Sequence, residues 1–280
     1  MKKYLVTGGS GYIGENLIRL YDNHDIWFDI CDYGIVNPDL PLAHQLSVED
    51  IEGYDGIVHL AALSGLAACE KDPMLAIQEN MLTAMNVFNH ATNLGIPVVF
   101  TSSQAAKDPQ SSKYAFIKWG IEQFAEYYNQ DGGMVYVLRL ANVYGGYGYL
   151  NKKQTCVKQF ITNYKEGLPL VIHGDGTQKR DFIHVWDVCK AIMLTLEKKP
   201  IDKSPMDIGT GKSTSIIELK EMFHCEHKLV PMRDVGTQSS IANINEAKKR
   251  IGFIAERKLE DYIKENLYRK EMKNGTRKKL

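Results

Sequence analysis

Tyr114 and Lys118 stand four residues apart in a stretch patterned for a helix, so a phenol and an ammonium share one helical face about one turn apart. Such a pair suits proton transfer at an alcohol or a ketone. A phenol begins near pKa 10 and must fall by roughly three units to act as a base near neutrality, which is about 4 kcal/mol of differential stabilisation. A neighbouring ammonium, joined by further positive charge in a cleft of low dielectric, would supply it. Ten residues separate Tyr114 from Ser103, whose hydroxyl ends an apolar strand and can donate a second hydrogen bond to the same substrate oxygen. The spacing alone carries little, because a Tyr and a Lys four apart occur on many solvated helix faces. Its weight comes from what stands before it.

At the amino end, the apolar run Tyr4-Leu5-Val6 leads directly into Thr7-Gly8-Gly9-Ser10-Gly11-Tyr12-Ile13-Gly14. This reads as a strand, a glycine turn and a helix start. The glycines let the backbone turn tightly and approach a diphosphate, and the helix aims free N–H groups and its positive dipole end at that diphosphate. A dinucleotide is the natural guest, and a nicotinamide would bring the further positive charge. A second strand, Ile26-Trp27-Phe28, is expected to end at Asp29, about twenty residues beyond the glycines, where a ribose-binding carboxylate belongs. No Arg or Lys follows between Ile30 and Asp39 to neutralise a 2′-phosphate, so NAD is favoured over NADP.

The elements that must position these groups alternate along the first half. Gly56 to Ala62 reads as a buried parallel strand with a tip of small residues, and a helix opens at Asp72-Pro73, with Asp as N-cap, and runs to Gly95. Ile96 to Phe100 is the strand that delivers Thr101-Ser102-Ser103; a helix from about 112 to 130 follows, then a strand from Met134 to Leu140. This is the pattern of an α/β, doubly wound parallel sheet, with ligands at the carboxyl ends of the strands, where Gly8, Asp29, Ala61, Ser103 and Asn142 fall. From about Tyr147 the rhythm loosens. The chain is expected to divide into a dinucleotide-binding domain over 1–148, rejoined by 181–212, and a smaller lobe from 149–180 and 213–280.

Composition narrows the function class. The 280 residues carry 34 basic and 34 acidic side chains, so no global field points to nucleic acid or to an acidic membrane surface. Five scattered cysteines, with no C-x-x-C pair and no zinc-like His spacing, read as free thiols in a reducing compartment. His59, His173 and His184 are isolated and read as structural, so no metal is expected. With no apolar leader and no membrane-length run, a soluble cytoplasmic protein is expected.

Taken together, the glycine turn, His59-Leu60-Ala61-Ala62, Asn80, Ser102-Ser103, Tyr114 to Lys118, Leu138 to Asn142 and Gly174 to Val185 resemble the extended short-chain dehydrogenases/reductases acting on nucleotide sugars, in particular UDP-glucose 4-epimerase-like proteins. The resemblance covers nearly the whole chain. It implies a Rossmann sheet with a smaller C-terminal substrate-binding lobe, and Ser103, Tyr114 and Lys118 as the catalytic triad. It implies an NAD site from Gly8, Gly11, Tyr12, Ile13, Gly14, Asp29, Ile30, Gln45, Leu46, Leu60, Ala61, Ala62, Ser64 and Asn80, together with Tyr114 and Lys118. Ser103, Asn142, Arg180 and Arg233 would hold a nucleotide-diphosphate sugar, the arginines by forked donation to the diphosphate. A homodimer through the helix of Tyr114 and its neighbour is likewise implied.

The sequence also departs from that family. Gln104 to Asp108 replace the usual Val-Tyr-Gly turn, the loop from Ser103 to Tyr114 is short, and Gln45 stands where an adenine-contacting Asp is common. Family dehydratases and decarboxylases carry an acid just after the hydroxyl, and the epimerase–reductases of GDP-fucose synthesis a Cys, whereas Gln104 and Ala105 offer neither. The expected activity is NAD-dependent epimerisation at C4 through a transient 4-keto sugar. A nucleotide-sugar 4-ketoreductase using the same triad, and a non-catalytic NAD-binding regulator, stand as alternatives.

Overall fold

The structure is a computed structural model that describes residues 1–32, 50–148, 155–231 and 239–275. Six strands form one parallel sheet: β1 (Lys2–Thr7), β2 (Ile26–Cys31), β3 (Gly56–His59), β4 (Val98–Ser103), β5 (Val135–Leu140) and β6 (Met206–Ile208), in the spatial order β6-β5-β4-β3-β1-β2. From β1 the chain goes first to β2 on one side and then to β3 on the other. A crevice therefore opens at the carboxyl ends of β1 and β3, the switch point where such sheets bind ligands.

Alternation along the strands creates two cores. Tyr4, Val6, Val58, Val99, Tyr136 and Leu138 face one way, onto α1 (Tyr12–Tyr21) and the helix Val185–Lys198. Leu5, Ile57, Val98, Phe100, Val135 and Val137 face the other way, onto the helix Thr83–Leu94 and the helix α2 (Lys113–Gln130). A one-residue slip would exchange every partner, so the apolar pattern fixes the register and with it the height of each strand tip.

Caps fix where the helices begin. Asp72 accepts from the Leu75 N–H at 3.0 Å, with Pro73 in the first turn, and Ser112 accepts from the Ala115 N–H at 3.1 Å. The second cap places Tyr114 in the first turn of α2. The helix opened by Asp72 is not regular: Pro73–Ala76 and Thr83–Leu94 flank a π-helical stretch, Ile77–Leu82, which carries Asn80.

Beyond β5, a short parallel pair (Asn142–Tyr144 with Phe182–His184) leads away from the sheet. Further out, Leu170–His173 pairs with His227–Val230, and Lys179–Arg180 lies between Thr214–Ser215 and Ser239–Ser240. Phe160, Leu170, Ile172, Leu219 and Phe223 of this outer part belong to the same core as Val6 and Leu138. No described helix is long and apolar enough to cross a membrane.

Candidate active site

The glycine turn sits against the β3 tip as a backbone surface. Gly8 has φ +74°, and a Cβ on it would lie 2.6 Å from the Ala61 nitrogen; one on Gly14 would lie 2.5 Å from the Gly9 carbonyl oxygen. Leu60 N–H bonds the Thr7 carbonyl at 3.0 Å, so Leu60, Ala61 and Ala62 border the turn. Gly11 occupies the N-cap position of α1 and supplies no side-chain cap, and Ile13 follows in the first turn. The Tyr12 hydroxyl donates to the Gly145 carbonyl at 2.6 Å, so its ring braces the chain after β5 and leaves backbone for a ligand. Ile30 is half exposed beside Gly9, and Ser64 is exposed. Asn80 donates to the Leu63 carbonyl at 3.2 Å while its buried Oδ1 is left without a partner, on a stretch already wound as a π-helix.

Asp29 does not occupy the place expected of it. The strand runs on to Cys31, and Asp29 is in register with Leu5, two residues short of the tip pair Thr7 and Cys31. Its carboxylate binds Lys3 Nζ at 2.9 Å, the Trp27 indole at 2.8 Å and the Tyr54 hydroxyl at 2.7 Å, chiefly the Lys3 contact holding it down to about pKa 2. The carboxylate at the strand's end is Asp32. Its Oδ2 accepts from the Ser10 N–H of the glycine turn at 2.7 Å, and its buried Oδ1 is unpartnered. The apolar Ile30-Cys31 after Asp29 is the signal that the strand continues.

These features fit a dinucleotide: a turn closed to any side chain, an uncapped helix start and two orphaned buried acceptors at the crevice. Gln45, Leu46 and Arg233 lie outside the described residues.

At the β4 tip the hydroxyl cluster meets α2. The Ser103 hydroxyl lies near the Tyr114 phenol and acts to lower its pKa. Burial pushes that phenol up to about pKa 12 against the lowering effect of Ser103, so Tyr114 rests protonated here. Lys118 is buried, donates from Nζ to the Thr101 carbonyl at 2.9 Å and lies 4.6 Å from the centre of the Phe100 ring. The expected depression of the phenol by the ammonium is thus not the dominant influence; desolvation is.

The short loop after Ser103 folds as two 3₁₀ turns, Gln104–Lys107 and Pro109–Ser111. Ser103 Oγ caps the first by accepting from the Ala105 N–H at 3.2 Å. Gln104 Nε2 donates to the Arg139 carbonyl at 3.0 Å, and Lys107 is ion-paired with the buried Asp207 on β6, which also accepts from the Asn243 N–H at 2.7 Å.

Asn142 and Arg180 are brought close through Asp181. Asn142 donates from its N–H (2.9 Å) and from Nδ2 (3.2 Å) to the Asp181 carbonyl, and Arg180 is the residue before it. The buried Asp181 carboxylate accepts from the Thr210 and Gly211 N–H groups and the Thr210 hydroxyl, which ties the outer part to the sheet. Burial presses the Arg180 guanidinium below its ordinary pKa. Sequence reasoning missed Asp32, the Lys107–Asp207 pair and a buried Ser102–Glu122–Arg139 cluster.

His59 is buried, hydrogen-bonded to Thr7 Oγ1 at 2.7 Å, stacked on Phe100, and pushed down to about pKa 3 by burial. All five cysteines are free thiols. Among the described residues, no group of three or more His, Cys, Asp and Glu is placed to hold a metal.

A family model for the NAD dependent epimerase/dehydratase family matches residues 4–209. A putative UDP-glucose 4-epimerase of Methanocaldococcus jannaschii is 29% identical over 254 residues, covering 79% of this chain and 81% of that protein. The UDP-glucose 4-epimerase of Thermotoga maritima, solved with UDP-glucose, superposes with a TM-score of 0.83 at 23% identity over 96% of this chain and 99% of its own. The UDP-N-acetylglucosamine 4-epimerase of Methanobrevibacter ruminantium gives 0.81 at 25% identity, covering 95% and 97%. With the glycine turn at a sheet switch point and the match spanning most of the chain, the protein belongs to the NAD-dependent epimerase/dehydratase family.

Proposed function

We propose that the chain is an NAD-dependent nucleotide-sugar epimerase acting at C4. The observation that carries this reading is the Ser103 hydroxyl lying near the Tyr114 phenol at the β4 tip, one helical turn from Lys118 and across β3 from the strand that ends in the glycine turn. Gly8, Gly11, Ile13, Gly14, Leu60, Ala61, Ala62 and Ser64 shape the NAD site, Asn80 offers it Oδ1, and Asp32 rather than Asp29 accepts from the adenosine ribose. Bound there, NAD would supply a reversible hydride acceptor at the sugar carbon, which is what a passage through a transient 4-keto sugar needs.

The protein moves the proton. Ser103 and Tyr114 hold the C4 oxygen between them, and Tyr114 takes and returns its proton. Because burial raises the phenol here, Lys118, the α2 N-terminus and the charge of the bound cofactor must together favour the phenolate. Asn142, Arg180 and Arg233 serve the nucleotide-sugar diphosphate as its donors. Residues 1–148 with 181–212 form the NAD domain, and 149–180 with 213–280 form the substrate lobe. Two copies pair through Thr83–Leu94 and α2, whose Phe116 and Tyr127 are exposed, in the reducing cytoplasm that suits five free thiols.

The test is incubation of a panel of UDP-, GDP-, dTDP- and CDP-sugars with NAD, and of 4-keto sugars with NADH, following nicotinamide absorbance and sugar identity. The epimer should form without net NADH. Steady NADH consumption on a keto sugar would assign a ketoreductase, and no turnover of any sugar would overturn both.

A further inference from the structure

Glu122 lies on α2 eight residues beyond Tyr114 and four beyond Lys118, so all three share one helical face. Its side chain has no exposed surface. Arg139 grips the carboxylate through Nε, 3.0 Å from both oxygens, and through Nη2, 2.6 Å from Oε2; the Ser102 hydroxyl donates to Oε1. Ser102 and Arg139 are register partners across β4 and β5, and the next pair is Ser103 with Leu140. The contact therefore joins the helix of Tyr114 and Lys118 to the strand pair directly beneath Ser103. Through its carbonyl, Arg139 also receives Gln104, the first residue of the short loop.

A buried ion pair is weak support for stability, because desolvation offsets its attraction. What it supplies is direction. The rest of this inner face, Ile117, Ile121 and Ala125, is buried apolar surface, which is close-packed but makes no directional bond. A forked guanidinium–carboxylate contact sets both distance and angle. Tyr114 is about 12 Å along the axis from Glu122, and a helix transmits a displacement over that length.

We infer that Glu122, held by Arg139 and Ser102, is a positioning residue that fixes the register of α2 and so seats the Tyr114 phenol against the Ser103 hydroxyl. The kinetic part of this inference rests on the epimerase reading; the structural part does not.

The principal test is Glu122→Met/Arg139→Met, which removes both charges and strands neither, unlike Glu122→Gln, which leaves Arg139 buried alone. Four quantities are measured: melting temperature, NAD affinity, kcat with KM, and the Tyr114 phenolate titration at saturating NAD, read as the ultraviolet difference from the matching Tyr114→Phe protein. The double variant should melt close to the parent, its one cost being the lost acceptor of the buried Ser102 hydroxyl, and keep KM within about threefold. Its kcat should fall by about 10- to 100-fold, the scale of a roughly 1 Å misplacement, and the phenolate should appear about one pH unit higher because Ser103 no longer meets it well. Ser102→Ala, which keeps the ion pair, should show the same two changes at about two- to fivefold and covers the case in which the double variant fails to fold. A folded variant of either kind with parental kcat and an unmoved phenolate overturns the inference. If the parent turns over no nucleotide sugar, the epimerase reading fails, while the phenolate titration still decides the role of Glu122.

Discussion

At the tips of β1 and β3, Gly8 and Gly14 keep space clear where any side chain would collide with backbone; at the tips of β4 and β5, Ser102, Ser103, Arg139 and Glu122 fill the space with paired polar groups. The first region is shaped by what is missing, and its donors are backbone N–H groups that need no side chain to orient them. The second, on the proposed function, must hold a proton at one atom, and its groups are fixed by other side chains. A site that only binds can be made of backbone, whereas a site that moves a proton needs a scaffold of side-chain contacts around it.

The largest expected effect separates the two regions outright. Tyr114→Phe should lower kcat by at least about 1000-fold, roughly 4 kcal/mol of barrier, while NAD affinity measured by calorimetry shifts less than about threefold. Retained turnover would remove Tyr114 from the mechanism. The reciprocal change is Gly8→Ala. The φ of +74° costs about 1–3 kcal/mol for a residue with a Cβ, and that Cβ meets the Ala61 backbone at 2.6 Å. NAD affinity should fall by on the order of 100-fold and the melting temperature should drop, while kcat at saturating NAD changes little. Binding at parental affinity would break the comparison on the backbone side.

The two regions also differ in how far the sequence disclosed them. The glycine turn, the Asp72 cap and the Tyr114–Lys118 spacing are local patterns within a few residues, and each was readable in advance. The Ser102–Glu122–Arg139 cluster joins residues 20 and 17 positions apart, and Lys107–Asp207 spans 100, so only the folded sheet brings them together. Asp29 is a different case. Two carboxylates lie at a plausible distance from the glycines, and which one reaches the tip depends on where β2 ends, a boundary that parallel pairing with β1 sets. A doubly wound parallel sheet was legible in the alternation of strands and helices, whereas the height of a single residue in it was not.

That choice between two carboxylates leads to a sharper test inside the backbone region. Asp32→Asn should weaken NAD about tenfold, near 1.4 kcal/mol, because the amide keeps the shape but loses a charged acceptor for the ribose hydroxyls. Isothermal titration with NAD reads this directly. Unaltered affinity would leave the ribose contact without a carboxylate at the β2 tip.

Asp29→Asn is expected to have the smallest effect, and it falls on stability alone. The folded-state pKa of Asp29 is held at about 2, below its ordinary 3.8, mainly by Lys3, so the native state takes up its proton less readily than the unfolded chain. Its contribution is therefore present above about pH 4 and is lost as the pH falls through 2. The carboxylate is about one-third exposed and its Lys3 partner more so, which limits the contribution to less than about 1 kcal/mol. Denaturant unfolding at pH 6 should find Asp29→Asn less stable than the parent by no more than that amount, with the gap closing as the pH drops below 4 and gone near 2. NAD affinity should not change. If Asp29→Asn weakens NAD more than Asp32→Asn does, the ribose contact returns to mid-strand, and the tip of β2 loses its part in the backbone-built half of the site.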